Sequence, residues 1–471
     1  MTALRSHTVQ LPLGTDLDPL TLAGYDGCYF SRNGMTVATK GIAATIELNS
    51  GIGDTYDLQR QLEFFRSIVD DRPEDQPGTG ALLVGSIPFD PRQPARLIVP
   101  ELSYVRSRDG SEWLTHTGSI SHPKTTASEL TSLLMQSACQ GSCAINSPSP
   151  STGEFGSEES FGHLSSTSSA DYEKMVATAL EAIEDNLVEK VVLAREVRFT
   201  TKMSYDPVSL LRHAQSRQEP LSYFHIGPLV GASPELLISK MNRVVNSCPL
   251  AGTRELSYSG GPPSDAHGMP SETGHARFSE LLANDRSLLR KQQELESSVK
   301  DLAEHRFVVE AVSNAISPLC VSIEVPSRPQ ALTLQTLMHL STPIKGVLAD
   351  RHGQIPVLEL VSRLHPTPAV GGVPKDKAIS LINELEPFER GSYGGAVGWM
   401  DKAGNGEWAI AMRCAEIDGS VVRMLAGAGV VRESLPSQEA AEVGAKIRST
   451  IQLFWPRADS SEIDKALDLN L

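Results

Sequence analysis

Apolar and polar residues alternate over short stretches in the first part of the chain, and turn signals separate these stretches. The runs 81–87 and 95–99 are examples, and Pro88 and the Asp90-Pro91 pair stand between them. Alternation with a period of two, bounded by turns, is typical of β-strands that bury one face. We therefore predict that residues 1–140 are a β-rich N-terminal part of the same domain as the residues that follow.

A change in composition marks the middle of the chain. Residues 141–169 are rich in Ser, Pro and Gly, as in the stretch Ser147-Pro-Ser-Pro-Ser. Such a sequence buries too little apolar surface to offset the entropy lost on ordering. We predict a flexible linker or long surface loop here, a main folded region over 170–455, and a C-terminal tail over 456–471.

Helical periodicity begins after this segment. Ser168 and Asp171 have the spacing of a helix-capping motif. The apolar positions that follow are spaced by four, three and four residues: Val176, Leu180, Ile183 and Leu187. The helix is predicted to end near Asn186. The apolar, β-branched run from Lys190 predicts a strand, with Lys190 on the same face as Val192.

Two later segments carry acidic residues at helical spacing. One helix is predicted over 284–317, with Asp301 and Glu304 one turn apart. The final helix carries an acidic face followed by a cation, at positions i, i+3 and i+7: Glu439, Glu442 and Lys446. Paired carboxylates suit Mg²⁺, which takes one or two of them together with waters and a ligand. Salt-bridged surface residues are the alternative interpretation.

Composition excludes several classes of protein. The 471 residues carry a net charge of −15, which argues against binding to nucleic acid, because phosphate contacts need clustered cations. No stretch has the roughly 18 apolar residues of a membrane helix, and no secretory signal is visible, so we expect a cytosolic protein. The six cysteines include no C-x-x-C pair, and we expect free thiols.

Two ionisable residues stand in apolar local settings. If Lys190 is buried beside Val191 and Leu193, its pKa falls and it becomes a candidate general base. Glu235 follows a Ser-Pro turn and precedes an apolar strand; in a desolvated pocket its pKa rises and it becomes a candidate acid. The alternatives are a lysine that reaches solvent from a strand end and a carboxylate that caps a helix or strand.

Arg413 lies among apolar strand residues, where a guanidinium usually meets a carboxylate, either of a ligand or of the protein itself. The Gly427-Ala-Gly429 segment lacks the third glycine of a dinucleotide fingerprint, so it serves either close approach of backbone to a ligand or a turn. Walker A, G-x-S-x-G and H-E-x-x-H motifs are missing. Their absence weakens nucleotide-driven, serine-hydrolase and zinc-protease interpretations.

From about 170 to 455 the chain resembles the chorismate-utilising enzymes, most closely isochorismate synthases. The matching segments are Lys190-Val-Val-Leu-Ala-Arg, Gly231-Ala-Ser-Pro-Glu-Leu-Leu, Pro249-Leu-Ala-Gly-Thr-Arg, Lys300-Asp-Leu-Ala-Glu-His, His339-Leu-Ser-Thr-Pro, His365-Pro-Thr-Pro-Ala-Val-Gly-Gly, Asn405-Gly-Glu-Trp, Arg413-Cys-Ala and Gly427-Ala-Gly-Val-Val. The resemblance implies an α/β fold, like that of anthranilate synthase component I, with large, mostly antiparallel sheets around a buried site and helices outside.

The resemblance also assigns roles. Lys190 would activate water for attack at C2 of chorismate, and Glu235 would protonate the departing C4 hydroxyl. Glu304 and Glu442 would hold Mg²⁺, supported by Asp301 and Glu439. The substrate would be bound and enclosed by Gly252, Thr253, His339, Ala369, Val370, Tyr393, Arg413, Gly427 and Lys446.

Two positions favour addition of water over amination. Aminodeoxychorismate synthases have a lysine where Ala251 stands, and anthranilate synthases usually have glutamine in place of Lys190. The resemblance implies chorismate as the substrate. Because water rather than ammonia is the expected nucleophile, no glutaminase subunit is expected. Salicylate formation, with elimination of pyruvate, is the alternative activity. An inactive relative that serves as a binding subunit is the alternative class.

The chain departs from the family pattern in three places. Leu302-Ala303 replaces the Arg-His that is common before the metal-binding glutamate. The stretch between Gly252 and Asp301 is longer than usual, which predicts an insertion over 255–297 that forms a lid, a partner surface or a disordered loop. The first 165 residues show little that matches.

Overall fold

A computed structural model describes residues 3–12, 15, 17–71, 76–120, 164–200, 206–256, 286–455 and 463. The strands within these ranges are β1 Leu4–Gln10, β2 Cys28–Arg32, β3 Met35–Lys40, β4 Ala44–Leu48, β5 Val69–Asp71, β6 Leu82–Ile87, β7 Ala95–Val99, β8 Leu102–Arg106, β9 Glu112–Ser119, β10 Leu164–Ser166, β11 Lys190–Thr200, β12 Ser222–Ile226, β13 Leu229–Ser233, β14 Leu236–Met241, β15 Val244–Cys248, β16 Leu250–Glu255, β17 Cys320–Glu324, β18 Gln330–Thr333, β19 Leu337–Ser341, β20 Ile344–Leu348, β21 Gly372–Val373, β22 Ala396–Asp401, β23 Gly406–Ile410, β24 Cys414–Asp418 and β25 Val421–Val430.

The α-helices are α1 Pro19–Ala23, α2 Thr55–Ser67, α3 Ser169–Glu184, α4 Pro207–Ser216, α5 Arg286–Ser297, α6 Val299–Ile316, α7 Val357–Leu364, α8 Lys375–Leu385 and α9 Pro436–Phe454. Short 3-10 turns occupy Ser317–Leu319 and Asp350–His352. No helix in the described ranges is long and apolar enough to cross a membrane.

Two large sheets dominate the structure. A 13-stranded sheet runs in the order β10-β11-β25-β24-β13-β12-β2-β3-β8-β9-β1-β5, with β21 beside β11, and a 9-stranded sheet runs β17-β20-β15-β14-β23-β22-β6-β7-β4. A 3-stranded sheet, β16-β19-β18, completes the set. The strand pairs are antiparallel, except for the parallel pair β1 and β5. The predicted fold class is therefore confirmed.

Strands from both ends of the chain share the two large sheets. In the larger sheet β2 pairs with β12, and in the smaller sheet β6 pairs with β22. One core cluster contains Phe30 and Phe224 from the larger sheet together with Trp399 and Ala409 from the smaller one, so the two sheets face each other. The sequence pattern predicts strands at residues 81–87 and 95–99, and the structure has β6 and β7 there.

The helix predicted over 284–317 is wrong in one respect, because its described part consists of two helices. Helix α5 ends at Ser297, and α6 begins after Ser298, whose side-chain oxygen accepts a hydrogen bond from the backbone N–H of Asp301 at 3.3 Å. A serine that caps a new helix in this way competes with continuation of the preceding one. The break places Asp301 and Glu304 in the first two turns of α6.

Helix α3 begins as predicted, with Ser168 accepting a hydrogen bond from the N–H of Asp171 at 3.0 Å. It ends at Glu184, slightly earlier than predicted. Leu187, the last of the apolar positions at helical spacing, therefore lies beyond the helix and is 44% exposed. Asn186, with φ of +58°, turns the chain into β11.

Part of the predicted organisation lies outside the described residues. This applies to 141–163 of the predicted linker, to 257–285 of the predicted insertion and to most of the predicted tail. The final part of the linker range contains β10, which pairs with β11. The division into domains stays a prediction. Cys28, Cys248, Cys320 and Cys414 are free thiols, as predicted.

A buried ion pair beside β11 satisfies backbone groups that no neighbouring strand pairs with. Glu386 accepts a hydrogen bond from the backbone N–H of Ala194 at 2.7 Å, and it pairs with Arg390 at 2.5 Å. Arg390 also donates to the carbonyls of Val192 and Val370, both at 2.7 Å. The pair thus satisfies backbone groups of β11 between its contacts with β21 and β10, and it ties β11 to the loop around Val370.

We expect Arg390→Met to lower the free energy of unfolding by about 3–5 kcal/mol, because it leaves the Glu386 carboxylate buried without a counter-charge. The double variant Glu386→Gln/Arg390→Met should lose less, since no uncompensated charge remains. Urea denaturation followed by tryptophan fluorescence measures both.

The control is Arg290→Met, which breaks an exposed pair with Glu294 on α5. It should change the free energy of unfolding by at most about 0.5 kcal/mol. If the Arg390 variant were no less stable than this control, the stabilising role of the buried pair would be excluded.

Candidate active site

A pocket of about 700 Å³, including its opening to solvent, lies between the 13-stranded sheet and the 3-stranded sheet. Strands β11, β16, β19 and β25 form its walls. Helices α6 and α9 close it, together with the loops around residues 369–370 and 412–413. Its lining is partly apolar and includes both acidic and basic side chains. An enclosed site with few charged groups is typical of small-molecule binding.

Lys190, the first residue of β11, is fully buried, which excludes the alternative of a lysine in solvent. Its Nζ lies 3.2 Å from Oε1 of Glu304 on α6. Burial lowers the pKa of Lys190, and the charge of Glu304 opposes this effect. Gly429 on β25 leaves the room for this pair. A Cβ at that position would lie 2.2 Å from Glu304 Oε1 and 3.0 Å from Lys190 Cε.

Glu235 lies between β13 and β14, just after the turn at Ser233 and Pro234, and is 1% exposed. Burial raises its pKa to about 8, although a backbone hydrogen bond from Leu250 and the charges of Lys190 and Lys446 oppose the shift. Its Oε2 has no hydrogen-bond partner among the described residues. The carboxyl group is therefore protonated at neutral pH and has a proton to donate.

Lys446 on α9 is one of two cations that line the pocket. Its Nζ donates to the carbonyl of Gly427 at 2.9 Å and pairs with Glu442, one turn earlier, at 2.8 Å. Burial alone would lower the pKa of Lys446, but the charges of Glu442 and Glu304 outweigh it and raise the pKa. Lys446 is therefore a fixed positive charge. Gly427 lies within β25, which excludes the alternative of a turn.

Arg413 is the second cation and has a left-handed backbone, with φ of +47°. Its Nη2 donates to Oγ of Ser449 on α9 at 3.1 Å, and its Nη1 lies 3.5 Å from Oε2 of Glu219. Its Nε and Nη1 have no hydrogen-bond partner among the described residues. Both nitrogens are therefore free to donate to an anionic ligand.

The remaining predicted acids face cations of the protein rather than the pocket. Asp301 pairs with Arg254 at 2.6 Å, behind Gly252, whose φ is +73°. Glu439 pairs with Lys300 at 2.5 Å. Burial, together with the charge of Glu442, raises the pKa of Glu439. The charges of Lys446 and Lys300 prevail over burial and lower the pKa of Glu442.

In the described part of the chain, no group of three or more His, Cys, Asp or Glu side chains is arranged to hold a metal ion. Magnesium does not require such a group, because one or two protein carboxylates suffice when waters and a ligand complete its octahedron. The charges of Glu304 and Glu442 both act on Lys300 and on Lys446, so the two carboxylates border the same region. Carboxylates of this kind supply the oxygen ligands that magnesium prefers.

His339 on β19 is a neutral pocket residue. Its Nδ1 lies 3.2 Å from Oγ1 of Thr253 and 3.3 Å from the carbonyl of Gly252. Burial is the main cause that lowers the pKa of His339 to about 3, and the charge of Lys446 adds to it. Its Nε2 is buried without a hydrogen-bond partner among the described residues, and it is available to a ligand.

The structure brings eleven of the predicted site residues to the pocket lining and leaves four outside it. Those that line the pocket are Glu235, Gly252, Thr253, Glu304, His339, Ala369, Val370, Tyr393, Arg413, Gly427 and Lys446. Those that do not are Lys190, Glu442, Asp301 and Glu439. Lys190 pairs with the lining residue Glu304, and Glu442 pairs with the lining residue Lys446. The roles of all fifteen residues stay predictions.

Sequence reasoning missed several residues at the site. Lys300 precedes Asp301 in a quoted segment, but nothing local shows that it pairs across to α9. His305, next to Glu304, is buried, and its Nε2 lies 2.7 Å from Oγ1 of Thr342. Burial and the charge of Lys190 lower the pKa of His305 to about 4. Glu219 had no sequence signal, because its partner Arg413 is distant in the chain.

Comparisons with known proteins identify the family. The model of the chorismate binding enzyme family matches residues 26–452. The chain is 36% identical to isochorismate synthase DhbC of Bacillus subtilis over 79% of this chain and 80% of that protein. It is 34% identical to isochorismate synthase EntC of Escherichia coli K12, over 79% and 81% respectively. The chain therefore belongs to the chorismate-binding enzyme family.

A solved structure shares the fold. The menaquinone-specific isochorismate synthase MenF of Escherichia coli superposes with a TM-score of 0.70, over 96% of this chain and 95% of that one. The two sequences are 23% identical, so this likeness concerns the fold.

We expect Gly429→Ala to lower kcat/KM with chorismate by about 100-fold, because displacing reacting groups by about 1 Å costs that much. The new Cβ would push the flexible ends of Glu304 and Lys190 rather than backbone, so the protein should still fold. Steady-state kinetics and circular dichroism measure the two effects.

Gly353→Ala is the matched control, since Gly353 has φ of −60° and its new Cβ would make contacts no closer than 3.4 Å. It should keep full activity. An active Gly429→Ala variant would show that the site does not need this close approach.

Proposed function

We propose that the protein is an isochorismate synthase, which converts chorismate to isochorismate by adding water at C2 with loss of the C4 hydroxyl. The observation that carries the proposal is a buried, protonated acid in the pocket lining together with a buried amine that lies against the lining residue Glu304. Burial raises the pKa of Glu235 to about 8, and it lowers the pKa of Lys190. Groups whose pKa values are shifted in this way suit proton transfer at neutral pH.

In the forward reaction, Lys190 takes a proton from water as its oxygen bonds to C2. Both ring double bonds shift, from C1–C2 and C5–C6 to C6–C1 and C4–C5, the C4–O bond breaks, and Glu235 supplies the proton with which the C4 hydroxyl leaves as water. The proton gained by Lys190 and the one lost by Glu235 balance over the cycle. Burial favours the neutral amine of Lys190 and the protonated carboxyl group of Glu235, which are the forms that this reaction uses.

The substrate is a dianion, and the pocket offers cations for it. Arg413 has free Nε and Nη1 donors, and Lys446 is a fixed positive charge. We assign the enolpyruvyl and ring carboxylates to these cations and to a magnesium ion held by Glu304 and Glu442. When bound, magnesium neutralises the ring carboxylate. Asp301 and Glu439 support this arrangement through Arg254 and Lys300.

Water is favoured over ammonia as the nucleophile. Ala251 lines the pocket at the position where amine-transferring relatives have a lysine. No glutaminase subunit is then needed. Access of bulk solvent to the reacting groups is limited, because Lys190 and Glu235 are both buried.

The test is product identification from purified protein and chorismate. We expect isochorismate without pyruvate, loss of activity with EDTA and recovery with Mg²⁺. Lys190→Gln and Glu235→Gln should each lower kcat at least about 1,000-fold, since each removes a group that moves a proton, with circular dichroism unchanged. Release of pyruvate would identify a salicylate synthase instead, and no turnover at all would identify a binding subunit.

The pH dependence follows from Glu235. The reaction needs its protonated form, so kcat/KM should fall about tenfold per pH unit above a pKa of about 8. Its pKa in the folded state is raised from the ordinary value of 4.5, so the folded protein holds a proton that the unfolded chain releases. Stability from this group is fully present below pH 4.5 and declines as the pH rises towards 8.

Initial rates between pH 6 and 10 measure the first effect, and urea denaturation of wild type and Glu235→Gln measures the second. The variant should lose less stability than the wild type between pH 5 and 8. A kcat/KM that keeps rising through pH 9 would contradict the assignment of Glu235 as the acid.

A further inference from the structure

We infer that Glu219 is a positioning residue for Arg413, and that it fixes the guanidinium while leaving Nε and Nη1 without hydrogen bonds to the described residues. The inference deepens the proposed function, on which it rests, because it concerns the arginine assigned to a substrate carboxylate. Glu219 lies after helix α4, at the start of the segment that leads into β12, and is 7% exposed.

A buried guanidinium requires a counter-charge, because an uncompensated charge in the interior is strongly destabilising. Glu219 is the carboxylate that faces Arg413, and the ion pair is itself buried, with side chains 3% and 7% exposed. Yet its Oε2 lies 3.5 Å from Arg413 Nη1, and these two atoms form no hydrogen bond. Glu219 therefore supplies charge and leaves Nη1 available.

Glu219 is held by the backbone rather than by Arg413. Its Oε1 accepts a hydrogen bond from the backbone N–H of Gln335 at 2.6 Å. Its own carbonyl accepts from the hydroxyl of Tyr223 at 3.0 Å. The side chain and the backbone of Glu219 are thus both held by contacts that do not involve Arg413. A fixed carboxylate imposes an orientation on the guanidinium beside it.

Arg413 has a second support, Ser449 on α9, and the turn that contains Gln335 holds this serine. Ser449 accepts from Arg413 Nη2 at 3.1 Å, and its hydroxyl lies 2.6 Å from that of Thr336. Thr336 is the neighbour of Gln335 in the connection between β18 and β19. One turn therefore anchors both groups that hold Arg413, one through a backbone N–H and the other through a hydroxyl. Arg413 is held from behind, and its Nε and Nη1 remain free of hydrogen bonds among the described residues.

Removing the charge of Glu219 while keeping its shape tests this arrangement. In Glu219→Gln the amide oxygen still accepts from Gln335, and the amide N–H₂ then faces Arg413 Nη1, so two donors oppose each other. We expect the guanidinium to shift and the KM for chorismate to rise about tenfold, equivalent to about 1.4 kcal/mol. The kcat should change less than about threefold, because the loss is in binding shared by ground and transition states.

Thr336→Val is the second variant, in case the first fails to fold. It removes the hydroxyl that holds Ser449, and we expect KM to rise by a factor of about 3, within the range of one lost hydrogen bond. Glu112→Gln is the matched control. It removes a part-buried carboxylate that pairs with Arg106 at 3.0 Å, on β8 and β9. It should leave both KM and kcat unchanged.

A double-mutant cycle shows whether Glu219 acts through Arg413. Glu219→Gln should add no further loss of kcat/KM in an Arg413→Gln background, because the group it positions is gone. A merely structural role would give additive losses, and so would overturn the inference. Wild-type protein without turnover would refute the proposed function instead; the same cycle is then run on the calorimetric dissociation constant of chorismate, which needs no turnover.

Discussion

Acidic and basic side chains that are buried or half-buried beside the pocket lie next to one another in pairs. The pairs are Lys190 with Glu304, Lys446 with Glu442, Lys300 with Glu439, Arg254 with Asp301, and Arg413 with Glu219. Leaving one member of such a pair uncompensated costs several kcal/mol. The pairs connect α6 to α9, β11 and β16, and they connect the loop at Arg413 to the segment after α4. Charge compensation therefore fixes how the helices meet the sheets, and the shape of the pocket depends on it.

Glu235 is the exception that gives the site its chemistry. It has no ion-pair partner of its own in the described part of the chain, so burial raises its pKa to about 8 and keeps the group protonated. Glu442, also an acid of this site, has its pKa lowered because Lys446 and Lys300 outweigh burial. Two carboxyl groups near one pocket thus differ in charge at neutral pH. One is suited to proton donation and the other to binding a cation.

An outer set of residues supports the inner one without lining the pocket. Arg390 and Glu386 satisfy backbone groups of β11 where no strand does so. The Gln335-Thr336 turn holds Glu219 and Ser449 behind Arg413. These supports act mainly through backbone groups, whose positions are set by the sheets. Orientation of the inner side chains is thereby linked to the 13-stranded sheet through β11 and to the 3-stranded sheet through the connection between β18 and β19.

The sequence determined the features that depend on neighbours along the chain: strands β6, β7 and β11, the capped start of α3, and the acidic pairs on α6 and α9. Resemblance to a family added the fold class and the residues that line the pocket. Only the tertiary structure decided which cation each acid pairs with, that Lys190 lies next to Glu304, and that Arg413 lies next to Glu219. Spacing along a helix or strand is set by local backbone geometry. Pairing across more than a hundred residues depends on how the sheets pack, and no local pattern records it.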